Sequence, residues 1–360
     1  MNQKYIYSLI AVLALFLIAY VGSEAAGLQI LFGIILPYLA IIAFLGGFIV
    51  RILDWAGSSV PFAIPTTCGQ QKSLPWIKPN AIDNPTSTGA VVLRMFFEIV
   101  FFRSLFRNTR MGISNGSRVF YKWEIFLWIG SLAFHYSFLT VILRHLRFFI
   151  EPVPSAIILL ENIDSFFKLE FITHIFQIGL PGFYLSGLIL LAAVTYLFLR
   201  RIFISQVKYI SLAADFFPLF LIFGIAFSGI LMRYVIKVDI TAVKELTMGF
   251  ITFHPVIPKE GISGIFYVHL FFVAILLAYF PFSKLMHMAG VFLSPTRNMA
   301  NNTRAVRHIN PWNYPVPVHT YEEYEDEFRE KMIDVGLPVD KMPDEKPEEI
   351  IADQKKEGKE

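Results

Sequence analysis

The sequence predicts an all-α polytopic membrane protein with six transmembrane helices. Two observations support this class. Hydrophobic residues make up 55% of the 360 residues and charged residues only 16%, whereas a soluble domain carries about a quarter charged residues. The apolar residues also fall into separate blocks, several of which reach the roughly 20 residues that a helix needs to cross a bilayer.

The first two apolar blocks lie within residues 1–50 and predict a transmembrane helical hairpin. A second block follows the sequence GSEAAG at once, so a hairpin is a simpler interpretation than a cleavable signal peptide. The six predicted spans cover residues of about 5–21, 28–50, 124–147, 171–199, 212–235 and 265–290. The single cysteine, Cys68, excludes an intramolecular disulfide, and we assign it no catalytic role.

The distribution of basic residues predicts how these spans are oriented. Segment 51–122 holds nine Lys and Arg residues against three acids, and the turn at 200–208 adds three more basic residues. The loop at 148–168 has one lysine against three acids. Because positively charged loops stay on the cytoplasmic side, we expect a multi-pass protein of the cytoplasmic membrane with both termini in the cytoplasm.

The polar segments define the remaining regions. We expect residues 51–123 to form a cytoplasmic segment. Within it, Arg94, Glu98, Arg103 and Arg107 are spaced so that they would lie along one face of an otherwise apolar helix. That pattern favours a helix lying in the membrane interface over a seventh span. Residues 124–290 form a four-helix core. Residues 291–360 form a cytoplasmic tail that we expect to bind a partner, with its last twenty residues disordered.

Four histidines lie in two of the predicted spans. His135 and His145 are ten residues apart in the third span, and His269 and His287 are eighteen apart in the sixth. Ten residues of helix rise about 15 Å, and eighteen residues make five turns and rise about 27 Å. Antiparallel packing of the two spans would place His135 near His287 in the inner half of the membrane. His145 would then lie near His269 in the outer half.

Two stacked pairs of histidines favour haem over other ligands. Zinc requires three or four protein ligands, whereas haem iron takes two axial ligands and its flat ring suits a slot between helices. The absence of a CxxCH motif predicts non-covalent, b-type haem. Hydrogen bonding between helices or a proton path is the alternative. Glycines in the spans would leave such a slot, although ordinary helix packing explains them better: Gly130, Gly179, Gly182, Gly187, Gly224 and Gly229.

Cations adjoin the histidines at both ends of the bundle. Arg144, Arg147 and Lys284 are candidates for stabilising the anionic propionates of haem. Snorkelling of these side chains to the lipid headgroups explains their positions equally well. His174 in the fourth span has no partner at matching depth and is a spare histidine.

The sequence resembles two known families, each through its own set of motifs. The spacing of the four histidines, together with FPFSKLMH, resembles the gamma subunit of respiratory nitrate reductase, a dihaem cytochrome b, over about residues 120–290. The segments VPFAIPTTCGQQKSLPWIKPNAIDNPTSTGAVVLRM, FFRSLFRNTR and SPTRNMANNTRAVRHINPWNYPVP resemble DsrM, the membrane cytochrome subunit of the dissimilatory-sulfite-reductase-associated transmembrane complex. The first span is additional to the five-helix nitrate reductase pattern.

The resemblance implies a function, cofactors and partners. It implies two haems b, with His135 and His287 ligating the inner iron and His145 and His269 the outer iron. It also implies menaquinone, a cytoplasmic iron–sulfur subunit like that of heterodisulfide reductase, and the other subunits of the Dsr transmembrane complex. The chain would be an electron-transfer subunit of a quinone-linked oxidoreductase in sulfur metabolism, with no catalytic residue of its own and no nucleic-acid partner.

Relatives of this type oxidise quinol near the outer haem, which implies a quinone site at the matching end. Lys168 and His174 are the best candidates for hydrogen bonds to the quinone, and Glu161, Asp164 and Asp239 lie at the same end. Two other functions remain open at this point. One is a cytochrome b anchor of a nitrate reductase, hydrogenase or formate dehydrogenase type. The other is a haem-free transporter or scaffold that uses its histidines for protons.

Overall fold

A computed structural model confirms the predicted class, a helical multi-pass membrane protein. The structure describes residues 3–58, 69–114, 116, 118–165, 183–302 and 318–341. Six helices in these ranges are long and apolar enough to cross a membrane. These six spans are Lys4–Glu24, Leu31–Gly57, Ile125–Phe148, Leu185–Phe203, Ala213–Ile236 and Gly264–Phe282.

The described residues form fourteen α-helices and two β-strands. In chain order they are α1 (Lys4–Glu24), α2 (Leu36–Gly57), α3 (Thr88–Phe101), α4 (Arg103–Phe106), β1 (Thr109–Ile113), β2 (Val119–Trp123), α5 (Ile125–His145), α6 (Ser155–Asp164), α7 (Leu185–Phe203), α8 (Ser205–Ile210), α9 (Ala213–Ile230), α10 (Ile240–Thr252), α11 (Gly264–Tyr279), α12 (His287–Leu293), α13 (Pro295–Asn298) and α14 (Tyr321–Asp334). Segments of π-helix at Leu31–Ile35 and Leu231–Ile236 begin the second span and end the fifth.

The fourth and sixth spans differ from the prediction. The described part of the fourth begins at Leu185 and continues to Phe203, while residues 171–182 of its predicted range lie outside the described residues. The prediction of one unbroken sixth helix over 265–290 was wrong. Helix α11 ends at Tyr279, Ser283 is extended at φ −119° and ψ 174°, and α12 starts at His287. Pro281 explains the break, because proline lacks the N–H of a helical hydrogen bond.

The apolar core lies between the first, second, fourth, fifth and sixth spans. The first span packs against the fifth and sixth, the second against the sixth, and the third against the fourth. The fourth and fifth spans also pack together, as do the fifth and sixth. The buried cluster includes Val12, Phe32, Leu221 and Val268, and helix α10 contributes Leu246. The sixth span is the most enclosed, as expected for a central helix.

The segment between the second and third spans contains a hairpin that the sequence did not predict. The hairpin pairs β1 with β2 in antiparallel register, with Met111 opposite Tyr121. The prediction of one helix carrying the whole charged stripe was wrong: α3 ends at Phe101, Phe102 is left-handed, and Arg103 begins α4. In α3 the charged stripe faces inward, since Arg94 and Glu98 are buried, while Val92 and Phe96 are exposed. This orientation is consistent with the predicted contact between α3 and lipid, because the apolar face is the outer one.

Asp83, which lies just before α3, forms ion pairs with Arg103 of α4 and with Arg107 directly after it. Its carboxylate accepts hydrogen bonds from Arg103, at 3.0 Å from Nε, and from Arg107. Burial raises the pKa of Asp83, but the hydrogen bonds and charges of the two arginines outweigh burial and hold its pKa below the ordinary value. The carboxylate is therefore ionised at neutral pH.

The C-terminal residues 309–360 form a separate compact unit, and residues 291–308 of the predicted tail belong to the first unit, 1–308. Within the C-terminal unit, α14 starts with a capping box in which Thr320 and Glu323 each accept the other's backbone N–H. The buried Glu325 carboxylate accepts the N–H groups of Asp340 and Lys341, both at 2.8 Å. These bonds fold the segment after α14 back onto the helix. The predicted disordered end, apart from Lys341, lies outside the described residues.

Candidate functional site

The structure brings the four membrane histidines together in two pairs. The ring centroids of His135 and His287 are 6.0 Å apart, and their planes are nearly perpendicular at 85°. Those of His145 and His269 are 6.4 Å apart, with planes only 12° from parallel. Imidazoles that ligate one metal ion from opposite sides at about 2 Å each have centroids about 6 Å apart. Both separations match that arrangement.

Each of the four imidazoles uses its Nδ1 atom in a hydrogen bond. In three of the four histidines, Nδ1 forms a hydrogen bond of 2.6–2.8 Å with a backbone carbonyl three or four residues earlier in the chain: His135 with Ser131, His145 with Val141 and His287 with Lys284. The fourth, His269, places Nδ1 2.9 Å from the Ser228 hydroxyl of the fifth span. Such bonds fix the tautomer and ring orientation of metal-ligating histidines and direct Nε2 toward the metal.

The surroundings of the pairs fit a ligand that takes two histidines rather than three or four. Within the described residues, no group of three or more His, Cys, Asp or Glu side chains could hold a metal ion. Among the described residues, the third and sixth spans do not pack closely against each other. The imidazoles of the two pairs nevertheless face each other, at centroid separations of 6.0 Å and 6.4 Å. Haem, a flat group with two axial ligands, fits these residues.

The helix break lies between the two histidines of the sixth predicted span. In unbroken helices, His135 and His145 would be about 15 Å apart along the axis and His269 and His287 about 27 Å. The break at Ser283 places His287 at the start of a separate short helix, so the spacing of one straight helix does not apply to His269 and His287.

Glycines serve mainly to let aromatic rings approach the spans. A β-carbon at Gly130 would lie 2.5 Å from the Tyr196 ring, and one at Gly224 would lie 2.7 Å from Phe272. Both therefore act in ordinary helix packing, as the alternative explanation held. Gly229 differs, since a β-carbon there would lie 3.4 Å from Cε1 of His269, in ordinary van der Waals contact with that imidazole.

The predicted propionate-binding cations already have carboxylate partners. Arg144 pairs with the buried Asp164, and Lys284 lies 2.7 Å from the buried Asp215. Each aspartate also accepts a backbone N–H near the start of a span: Asp164 from Ser186 at 2.7 Å and Asp215 from Leu212 at 2.9 Å. These pairs fix the ends of the fourth and fifth spans beside the outer and inner histidines.

The remaining predicted residues at the outer end have structural partners or lie outside the described residues. Arg147 donates to Glu161 at 2.6 Å. Asp239 caps α10 by accepting the N–H of Thr241 at 2.8 Å. The predicted quinone ligands Lys168 and His174 lie outside the described residues, as do Cys68, Gly179 and Gly182.

Sequence reasoning missed the contacts of Tyr184 at this end. The guanidinium carbons of Arg144 and Arg233 lie 3.4 Å and 4.1 Å from the centroid of the Tyr184 ring. Tyr234 accepts the backbone N–H of Tyr184 at 2.7 Å. Arg233 lies in the π-helical end of the fifth span, and its nearness to Tyr184 depends on folding rather than on any sequence spacing.

Fold and site together define a helical membrane protein of the cytochrome b type, with two facing pairs of imidazoles, His135 with His287 and His145 with His269. Comparison with known proteins agrees, since residues 91–308 match the nitrate reductase gamma subunit family. The chain is 48% identical over 290 residues to the "Hdr-like menaquinol oxidoreductase cytochrome b-like subunit" of Archaeoglobus fulgidus, covering 79% of this chain and 84% of that protein. The protein of the same name from Archaeoglobus profundus is 41% identical, covering 77% and 81%.

A more distant relative is one of the subunits of the dihydromethanophenazine:CoB–CoM heterodisulfide reductase of Methanosarcina thermophila. It is 23% identical over 77% of this chain and 94% of that protein. The chain belongs to the nitrate reductase gamma subunit family and, within it, to the Hdr-like menaquinol oxidoreductase cytochrome b-like subunits. The family match begins at residue 91, after the first two spans.

We predict that Asp164→Asn lowers the stability of the protein by about 3 kcal/mol, because it leaves the Arg144 guanidinium without its carboxylate. Thermal unfolding of the purified protein in detergent measures the effect. Glu151→Gln is the control, since Glu151 is exposed and its pair with Lys244 contributes at most about 1 kcal/mol. Equal losses in both variants would contradict a structural role for Asp164.

Proposed function

We propose that the chain is a dihaem cytochrome b that exchanges electrons between menaquinol or menaquinone in the membrane and a cytoplasmic iron–sulfur subunit like that of heterodisulfide reductase. The observation that carries this proposal is the presence of two facing imidazole pairs at separations that suit ligation of one iron by each pair. The names of two relatives, which describe a menaquinol oxidoreductase with an Hdr-like character, support the quinone and the partner. The resemblance of the sequence to DsrM extends the proposal to dissimilatory sulfur metabolism.

The four histidines would hold the two haems, His135 and His287 at the inner site and His145 and His269 at the outer one. Haem b, when bound, supplies reversible one-electron chemistry. The carbonyls of Ser131, Val141 and Lys284 and the hydroxyl of Ser228 hold the four imidazoles as ligands through Nδ1. Phe134 and Phe148 lie against His135 and His145 and help to exclude water from the two sites.

The haem assignment predicts that a variant lacking one of the four histidines binds one haem instead of two. The purified protein should show the reduced-minus-oxidised α-band of b-type haem, at two haems per chain by pyridine haemochrome analysis. His287→Ala and His145→Ala should each retain one haem, and the double variant none. His254→Ala, an exposed outer-loop histidine, is the control and should retain two. A protein without an α-band, or one whose His287→Ala variant retains two haems, would contradict the proposal.

The quinone site would lie at the outer end, with Lys168 and His174 as hydrogen-bond partners of the quinone oxygens. Oxidation of a quinol releases two protons with its two electrons, so its site needs groups that accept hydrogen bonds and protons. The neighbouring loop supplies the carboxylates of Glu161 and Asp164, both of which are paired with arginines. The proposed site therefore relies on Lys168 and His174 for its hydrogen bonds to the quinone.

We predict that Lys168→Ala and His174→Ala each slow the reduction of haem by a menaquinol analogue by about tenfold or more, because each removes a hydrogen bond to the quinone oxygens. Stopped-flow spectroscopy of the purified complex measures this rate, with haem content determined in parallel. Lys244→Ala, an outer-side lysine paired with Glu151, is the control. Wild-type rates in both variants, at full haem content, would place the quinone elsewhere.

The iron–sulfur partner would bind on the cytoplasmic side, to segment 51–123 and to the tail. This side follows from the positive-inside rule, which also places both termini in the cytoplasm. The tail is strongly acidic beyond Tyr321, and α14 carries exposed Tyr321 and Tyr324 rings among these acids. Aromatic side chains of this kind are frequent anchors at protein interfaces.

We predict that a chain shortened after residue 308 assembles with both haems but no longer co-purifies with the iron–sulfur subunit. The division of the chain at residue 308 makes this truncation structurally conservative. Affinity purification of the tagged chain, with haem and iron counted together, tests the prediction. Undiminished recovery of the iron–sulfur subunit would show that the tail is dispensable for binding.

Labelling of single cysteines placed at 148–168 and 200–208 from each side of the membrane tests the orientation.

A further inference from the structure

The turn between α3 and α4 holds an aromatic residue in a strained conformation next to a membrane histidine. Phe102 has φ 50° and ψ 48°, in the left-handed region. A bulky side chain rarely adopts this conformation, because its β-carbon crowds the backbone, and glycine is the usual residue there. Such strain persists only where the surrounding contacts impose it.

A buried network on the preceding helix imposes this turn. The Glu98 carboxylate accepts the backbone N–H of Ser104 at 3.1 Å and also the Ser104 hydroxyl. Arg94 lies 4.0 Å from the same carboxylate, and the side chains of the two residues are only 4% and 6% exposed. Arg94 also donates to the backbone carbonyl of Asp83 at 2.9 Å. The network thus joins α3 to the residues directly after Phe102.

The third span holds the end of α3 from the other side. The Tyr136 hydroxyl donates to the Val100 carbonyl at 2.8 Å, and the Trp128 indole donates to the Phe101 carbonyl at 2.7 Å. These donors lie on either side of His135 along the third span. The end of α3 is therefore fixed at the depth of that histidine.

The result is a direct contact between Phe102 and the inner imidazole pair. The ring centroids of Phe102 and His135 are 4.9 Å apart with planes at 87°, an edge-to-face contact. His135 has Phe134 on another side at 5.1 Å and faces His287 at 6.0 Å. Its Nδ1 is held by Ser131, so the ring is restrained by a hydrogen bond and by two phenyl groups.

We propose that Phe102, held in its left-handed turn by Arg94 and Glu98, is a positioning residue that fixes the His135 imidazole opposite His287. The ring of Phe102 limits rotation of the His135 imidazole and covers one side of it. Orientation, hydrogen bonding and solvent exposure of an axial ligand are among the factors that set the redox potential of a haem. The cytoplasmic segment thereby sets the potential of the inner site, an inference that rests on the proposed function.

Potentiometric titration of the haem α-band in the purified protein tests this inference. We expect two transitions in the wild type, and the transition that is lost in His287→Ala identifies the inner site. Phe102→Leu and Glu98→Gln should each shift the inner midpoint potential and leave the outer one unchanged. Phe96→Leu, which alters an exposed ring on the outer face of the same helix, should shift neither.

Phe102→Gly separates the role of the ring from the role of the strain. Glycine adopts the left-handed conformation without strain, so this variant should unfold at a temperature no lower than the wild type. It should nevertheless shift the inner midpoint as Phe102→Leu does, since the ring is absent in both.

The outcomes distinguish failure of the inference from failure of the proposed function. Unchanged midpoints in Phe102→Leu and Phe102→Gly at full haem content would overturn the positioning role and leave the dihaem assignment intact. Equal shifts at both sites would also overturn it, because they would show a general rather than a local effect. A wild-type protein without haem would overturn the proposed function itself.

Discussion

The structure depends on the need of an imidazole in a membrane core to have a partner for each ring nitrogen. Unpaired polar groups are costly in hydrocarbon, and four histidines lie in or next to the spans of this chain. The Nδ1 atoms of the four rings form hydrogen bonds with Ser131, Val141, Lys284 and Ser228. We propose that haem iron is the partner of Nε2 in each facing pair.

Much of the remaining architecture serves to place these four rings. Pro281 and Ser283 break the sixth span, so His287 is carried on a helix of its own and can face His135. Gly229 of the fifth span lies next to His269. Two buried aspartates pair with cations near the histidines: Asp164 with Arg144, which precedes His145, and Asp215 with Lys284, three residues before His287.

The pairing of the histidines could be predicted from the sequence, but its geometry could not. Hydropathy predicted the six spans, and the spacings of ten and eighteen residues predicted which histidines share a depth. The break in the sixth helix could not be predicted, because a proline in a membrane helix is often tolerated. The motif FPFSKLMH is therefore compatible with a continuous helix as well as with a broken one. The burial of Arg94 and Glu98 and the contact of Phe102 with His135 were missed for another reason. They depend on tertiary contacts from Tyr136 and Trp128 that no local pattern indicates.

The most direct test of the account is low-temperature electron paramagnetic resonance of the oxidised, purified protein. The central claim is that the two imidazole pairs ligate two haem irons with the ring orientations seen here, 85° at the inner pair and 12° at the outer. Perpendicular axial imidazoles give a highly anisotropic low-spin ferric signal, whereas nearly parallel ones give a rhombic low-spin signal. The account predicts one signal of each kind, with the anisotropic one lost in His287→Ala. Two signals of the same kind, or none from low-spin haem, would contradict it.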